Sequence, residues 1–568
     1  MKTYLKKALA LSQTLLLFAG IAGCAGNSTE EYDETKYHLY ISAYDAGYGR
    51  AWLEMYEKEF EERYTDYTFN DGSDKKGVDV HLDWNQLNAQ GLITSMKGSQ
   101  NQIYFNSVDY YDLVVSDNAL DLTAILNEDM ADVGEAGNTV LKKIPEDMKE
   151  YYGSVRKGKY YGVPSTETWD GINYDKDLFR TKRLYLASEW NDSVSVFTSG
   201  EEGDLPKSKG PDDIAGTYDD GLPATISQFY DLLNQMTNVA GVTPFTFSAN
   251  LGYAEMLPMA LWANFEGKEQ MQLNFSLKGE AKDLITVSAD GKVTQDAAPT
   301  AIDDSNAYEL TRQQGIYQAL KVVEDLVDNN TGKSYFSNSA FAGDQDHIAA
   351  QEEYLYSAIE GSPIAFLVEG TYWTAEASGI FNDITNSYGE GDEYSVKKRN
   401  LAYMPLPHYD GSRVGEKQTI VSGTLPCVAK AGQTDSDYDL TRLFIKFVNT
   451  DDMIYNYLES AGYPRGVNAV REMNAEEKTL ITPYAVSLLE AQQNSDILHD
   501  VSTNPLWVRN ASGTLRFRTN RNGWCFRMNT TYQQPVRNMY NDGNGLITAY
   551  SFFNGMYSTM KNDWSRLK

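Results

Sequence analysis

Cysteine is nearly absent: three in 568 residues, Cys24, Cys427 and Cys525. Cys427 and Cys525 lie about a hundred positions apart, which makes neither a disulfide framework nor a zinc site; one bridge or two buried thiols remain open. The five histidines, His38, His81, His347, His408 and His499, are scattered. There is no His-Glu-x-x-His, no P-loop and no Gly-x-Ser-x-Gly, so the common zinc-hydrolase, nucleotide-hydrolase and serine-hydrolase signatures are missing. Asp71, Asp74 and Asp79 miss the EF-hand spacing. His347, near Asp344, Asp346 and Glu352, makes a poor metal site, and neither metal nor cofactor is expected. Positive charge is scarce as well: 49 Lys and Arg against 80 Asp and Glu give a net charge of −31. Such a chain is repelled by nucleic acid and by anionic lipid. Beyond the first two dozen residues no run approaches the ~18 apolar residues that span a bilayer.

What is present is a large polar chain rich in aromatics. Its length exceeds one hydrophobic core, so at least two domains are expected. Hydrophobic and charged fractions of 42% and 23% are those of a soluble globular protein. Forty tyrosines and nine tryptophans are many, and such rings concentrate where proteins bind ligands. Eighty carboxylates would permit a glycosidase pair, but an acidic surface accounts for them better.

Residues 1–24 have the composition of an export leader: Lys2, Lys6 and Lys7 precede the apolar run Ala8–Ile21. The run ends in Ile21-Ala22-Gly23-Cys24, which resembles the bacterial lipobox. That resemblance implies lipidation of Cys24, with residues 25–36 as a flexible tether and the folded part on the extracellular face of the membrane.

From residue 37 the chain alternates. Tyr37–Tyr44 reads as a strand, Arg50–Arg63 as a helix with Trp52, Tyr56 and Phe60 on one face, and Val78–Trp84 as a strand. Leu87–Met96 reads as a helix and Tyr111–Asp117 as a third strand. This α/β alternation predicts a parallel sheet with ligands beyond the carboxyl ends of its strands. Those ends would be Tyr44-Asp45, Trp84-Asn85 and Ser116-Asp117. Further on, Tyr160–Phe179 (YYGVPSTETWDGINYDKDLF) reads as two strands around a polar corner that holds Trp169 and Asp170. Pro164 stops the first strand, and Asp175 opens a turn or cap. Leu257–Phe265 is a short helix carrying Trp262. Ser362–Val368 is a nearly continuous apolar strand, hence buried on both faces, followed by Glu369-Gly-Thr-Tyr-Trp373.

Several of these segments together resemble, in order, the family 1 extracellular solute-binding proteins of bacterial ABC importers, the sugar- and oligosaccharide-binding type. Tyr-Gly-Val-Pro, a short polar gap and a strand ending in Tyr-Asp-Lys-Asp-Leu-Phe resemble the first hinge crossing. The strand ending in Gly-Thr-Tyr-Trp resembles the second, with Tyr372 and Trp373 both available for its cleft-lining aromatic. Leu401–Pro407, Val421–Ala429, Leu440–Val448 and Ala461–Gly466 resemble later segments; in the last, Pro464 and Arg465 lack the family's spacer. Residues 468–568 match nothing, and Trp507, Trp524 and Phe526 lie there.

The resemblance implies an α/β, two-lobed periplasmic-binding-type fold with discontinuous lobes and a hinge. Lobe one is expected at 37–163 and 363–430, lobe two at 164–362 and 431–568. It implies a non-enzymatic protein that captures a saccharide and delivers it to ABC permease subunits, acting as a monomer. Ligand-binding residues are expected among Asp45, Trp84, Asp117, Trp169, Asp170, Trp262, Glu369, Trp373 and Arg465. The rival readings are a surface-anchored glycoside hydrolase and a peptide-binding or signalling receptor of the same fold.

Overall fold

The structure, a computed structural model, describes residues 33–69, 71–191, 193–250, 253–327, 335–389, 391–509, 526–528, 531–541 and 547–566. Its principal strands are β1 (Tyr37–Tyr44), β2 (Val78–Asn85), β3 (Ile103–Phe105), β4 (Val163–Pro164), β5 (Asp170–Asp175), β6 (Thr243–Thr246), β7 (Ile364–Gly370), β8 (Leu401–Met404), β9 (Gln418–Ser422), β10 (Pro426–Ala429) and β11 (Ser495–His499).

Two separate sheets define the lobes. The first has the order β2-β1-β3-β10-β4, the second β8-β5-β7-β6. In the first, β1 runs parallel to β2 and β3, so the three strands end on the same side. Helix Ala51–Arg63 buries Trp52, Tyr56 and Phe60 against this sheet, as their spacing predicts. Phe60 meets Phe444 and Phe447 at ring distances of 5.1 and 5.3 Å, which brings helix Asp435–Val448 onto the same lobe. In the second sheet β7 is buried at every position. Helices Met256–Glu266 and Gln314–Val327 belong to the core on one face, and helices His347–Glu360 and Pro483–Asn494 to that on the other. Apolar packing on both faces is what the unbroken run Ile364–Val368 required.

The chain passes between the sheets at 165–169, 423–425 and 462–467, and hydrogen bonds bundle these crossings. Thr168 N donates to Gly423 O at 3.1 Å and Gly423 N to Thr168 O at 2.7 Å. Glu167 N donates to Pro464 O at 3.0 Å. The Arg465 guanidinium donates to Ser165 O at 2.8 Å and to Asn449 Oδ1 at 2.9 Å.

Two expectations need correction. The stretch expected as a third strand, Tyr111–Asp117, is helical over Tyr110–Val115. Asp109 caps it, accepting from Asp112 N at 3.3 Å, and a short apolar run does not by itself distinguish helix from strand. The third strand is instead the three-residue β3. The lobe boundaries also move. β7 and β8 both pair with β5, so 364–404 lies in the second lobe's sheet rather than the first. Helices Asp435–Val448 and Asp451–Ala461 pack on the first lobe rather than the second, where Tyr457 meets Trp52 at 5.5 Å. Strand partners are nonlocal, and local patterning does not reveal them.

Candidate functional site

Where the crossings meet the strand ends, a cleft of about 690 Å³ opens between the lobes. The first lobe lines it with Tyr44 at the end of β1, Gln86 after β2 and Ser107 after β3, and with Tyr48 from the following loop. All the strand-end positions lie at carboxyl ends of parallel strands, where open α/β sheets bind ligands. The crossings contribute Thr168, Trp169, Asp170 and Gly423. The second lobe contributes Tyr253, His347, Tyr372 and Glu376, and Asp500 follows β11.

The second-lobe groups are locked to one another. The rings of Tyr253 and His347 stack at 4.7 Å with an interplanar angle of 4°. His347 Nε2 lies 3.2 Å from Glu376 Oε1, and Gln351 Nε2 donates to Glu376 Oε2 at 2.6 Å. Across the cleft, Tyr48 meets Tyr372 at 5.0 Å, and Tyr463 OH donates to Tyr48 O at 2.9 Å. Gly47 lies so close to Glu376 that an added Cβ would overlap the carboxylate. Gly49 likewise leaves only 3.2 Å between such an atom and Ala375 Cβ. The lobes therefore touch through a glycine-bearing loop at one end of the cleft.

Behind Asp500, His499 joins the lobes electrostatically. Its Nδ1 lies 2.7 Å from Asp147 Oδ2, on helix Glu146–Tyr152, and its Nε2 3.2 Å from Glu167 Oε1, on the first crossing. Burial alone would depress this imidazole, but the two carboxylates outweigh it and lift its pKa to about 9.

Of the residues singled out in the sequence, Trp169 and Asp170 line the cleft. Asp45 and Trp84 stand beside it: Arg50 donates to both carboxylate oxygens of Asp45, at 3.0 and 2.5 Å, and lies over the Trp84 ring at 5.1 Å. Asp117 is elsewhere, in a left-handed conformation (φ 58°), exposed and paired with Arg156. Trp262, Glu369, Trp373 and Arg465 are buried. Trp262 belongs to a helix whose surroundings are apolar, and Glu369 lies inside β7. Trp373 is fully buried against Tyr354, Phe381 and Tyr484, while its neighbour Tyr372 reaches the cleft. Arg465 brackets the crossings from within. Cys24 and Cys525 lie outside the described residues; Cys427 is a buried free thiol whose pKa burial pushes up to about 12. Trp507 is core, its indole N–H donating to Asn274 O at 2.9 Å.

Sequence reasoning passed over Tyr48, Tyr253, Glu376 and Asp500, and weighed His347 only as a metal ligand. For Tyr48 the signal was Gly-Tyr-Gly directly after the first strand. For the others no local signal existed, since tertiary packing alone gathers them.

These sheets and crossings define a two-lobed α/β fold of the periplasmic-binding type. No family model matches the chain, and no curated protein matches it by sequence. Solved structures do resemble it. A chitin oligosaccharide binding protein is 15% identical with a TM-score of 0.51, covering 94% of this chain and 99% of that one. A manno-oligosaccharide specific solute binding protein from Bifidobacterium animalis subsp. lactis, in complex with mannotriose, is 14% identical with a TM-score of 0.52, covering 94% and 95%. A cyclic alpha-maltosyl-1,6-maltose binding protein from Arthrobacter globiformis is 11% identical with a TM-score of 0.51, covering 94% and 100%. At these identities the likeness is one of fold.

Proposed function

We propose that this protein is the extracellular solute-binding component of an ABC importer, of the family 1 sugar-binding type. In this reading its lobes close on an oligosaccharide and deliver it to permease subunits, and a lipid at Cys24 holds it to the membrane. The carrying observation is the composition of the cleft, where Tyr44, Tyr48, Trp169, Tyr253 and Tyr372 stand among Asp170, His347, Glu376 and Asp500. Aromatic faces cover the apolar faces of pyranose rings, and carboxylates and imidazole hydrogen-bond their hydroxyls. The similar proteins named above are described as binding chitin oligosaccharide, manno-oligosaccharide and a cyclic maltosyl-maltose, which supports an oligosaccharide here.

Glu376 is committed to structure in a way that suits binding better than turnover, held by His347 and Gln351. Titration calorimetry against chito-, manno- and malto-oligosaccharide panels tests the reading. The expected result is saturable one-to-one binding of one series, with the sugar recovered intact by chromatography. Cleavage that disappears on changing Asp170 or Glu376 would favour the hydrolase. Binding of peptides with no response to any saccharide would favour the receptor.

A further inference from the structure

Two of the five histidines that look scattered in the sequence meet at the far end of the first lobe. In the parallel pairing of β1 and β2, His38 stands opposite Asp79 and Tyr40 opposite His81. Side chains alternate along a strand, so His38 and Tyr40 share one face of the sheet with Asp79 and His81. There His38 Nδ1 lies 2.8 Å from His81 Nε2, and Asp79 Oδ2 lies 3.5 Å from each of these nitrogens.

We propose that His38 Nδ1, His81 Nε2 and Asp79 Oδ2 bind a divalent transition-metal ion of the zinc class, with a fourth position left to water. The ligand set is nitrogen, nitrogen and carboxylate oxygen, a combination zinc accepts. Bonds of about 2.0–2.2 Å at tetrahedral angles place neighbouring ligand atoms roughly 3.3–3.5 Å apart. Two sides of the present triangle already have that length, and the third needs to open by about half an ångström.

The surroundings prepare the ligands. His38 Nε2 lies 3.0 Å from the carbonyl oxygen of Asp33, which can only accept, so the proton of neutral His38 sits on Nε2. Its Nδ1 lone pair is thereby aimed at the other two ligands, the arrangement in which an outer hydrogen bond fixes a metal-binding tautomer. The His81 ring is held by stacking on Tyr40 at 4.6 Å and 17°. In the metal-free state His81 Nε2–H donates to His38 Nδ1; to bind the ion His81 changes to its other neutral tautomer, giving up the proton on Nε2 to solvent and taking one on Nδ1. Lys75 opposes the site, since its charge also acts on His38, and a bound dication would share that repulsion.

The site is distinct from the cleft. His38 lies six residues from Tyr44 along β1, or about 20 Å at the rise of an extended strand. The metal would pin the edge strand β2 to β1 and, through Asp33, to the segment that enters the fold from the amino-terminal side. It takes no part in ligand capture.

The test uses the full chain stripped of metal with EDTA and titrated with zinc chloride, then with cobalt chloride. One equivalent should bind and raise the melting temperature, and cobalt should develop the visible absorption of a four-coordinate site. His81→Gln, at a partly exposed position, should weaken zinc binding on the order of 100-fold, at least the loss that outer-shell changes cause. Asp79→Asn should weaken it in the same direction. Both variants should melt with the metal-free wild type in EDTA, which separates metal loss from misfolding. Zinc binding of unchanged strength in His81→Gln, or no zinc binding by wild type, overturns the proposal. Oligosaccharide binding should be the same with and without zinc; a dependence on zinc overturns the separation of the two sites.

Discussion

Trp169 is 2% exposed and meets Tyr403 edge-on at 5.9 Å, so only its rim belongs to the cleft wall. Trp169→Ala should therefore cost stability, about 3–5 kcal/mol by urea unfolding, as expected for a buried aromatic that leaves a cavity. Tyr44 is half-buried at a strand end. Tyr44→Ala should cost under about 1 kcal/mol of stability but roughly 1–2 kcal/mol of ligand affinity, about five- to thirtyfold by calorimetry. Arg465 separates structure from binding in the other direction. Arg465→Met would strand the carbonyl of Ser165 and the amide of Asn449, and should lower stability by about 2–3 kcal/mol, the cost of unpaired buried polar groups. His499 predicts a pH dependence. Its folded pKa of about 9 lies above the ordinary 6.5, so its stabilisation is complete below pH 6.5 and is lost as pH rises through 9. Between these limits wild type should lose about 2–3 kcal/mol relative to His499→Gln, as thermal unfolding across pH 6–10 would read it.

At the scale of elements, the crossings set how the lobes move. An added Cβ at Gly466 would come within 2.8 Å of both Pro164 Cβ and Thr166 O, so the first and third crossings touch with no slack. Gly466→Ala should cost about 1–3 kcal/mol of stability, the range for overpacking, and should weaken ligand binding as the crossings are forced apart. Equilibrium unfolding and calorimetry on the same variant check both effects. Much of this level was legible in the sequence. The spacing of Trp52, Tyr56 and Phe60 marked a helix face, the unbroken run Ile364–Val368 marked a doubly covered strand, and Asp175 caps helix Lys176–Lys182 from the turn where it was expected. Illegible were β3, three residues long, and the helical state of Tyr110–Val115, because each is decided by neighbours rather than by pattern. Trp373 was expected at the cleft from the resemblance to a hinge crossing, with Tyr372 as its rival, yet a single helical turn sends the Trp inward and leaves the Tyr at the cleft. The pairing of β7 and β8 with β5, which reassigns residues 364–404, is likewise a fact of tertiary partnership.

For the molecule as a whole, discontinuous lobes joined at bundled crossings suit rotation about the hinge. Small-angle scattering should show a smaller radius of gyration with a bound oligosaccharide than without, and an unchanged radius would argue for a rigid cleft. One contact governs how that motion is used. Gly47 rests against Glu376 without room for a methyl group, and Tyr48 rests against Tyr372, so this end of the cleft is shut in the conformation described here. A ligand that comes in from this end can do so only during the intervals when that contact parts. Capture then acquires a clock of its own: stopped-flow association rates should climb with sugar concentration and level off at the frequency of opening. A bulkier residue at position 47 would hold the door ajar, raising that ceiling while shortening the time each sugar stays.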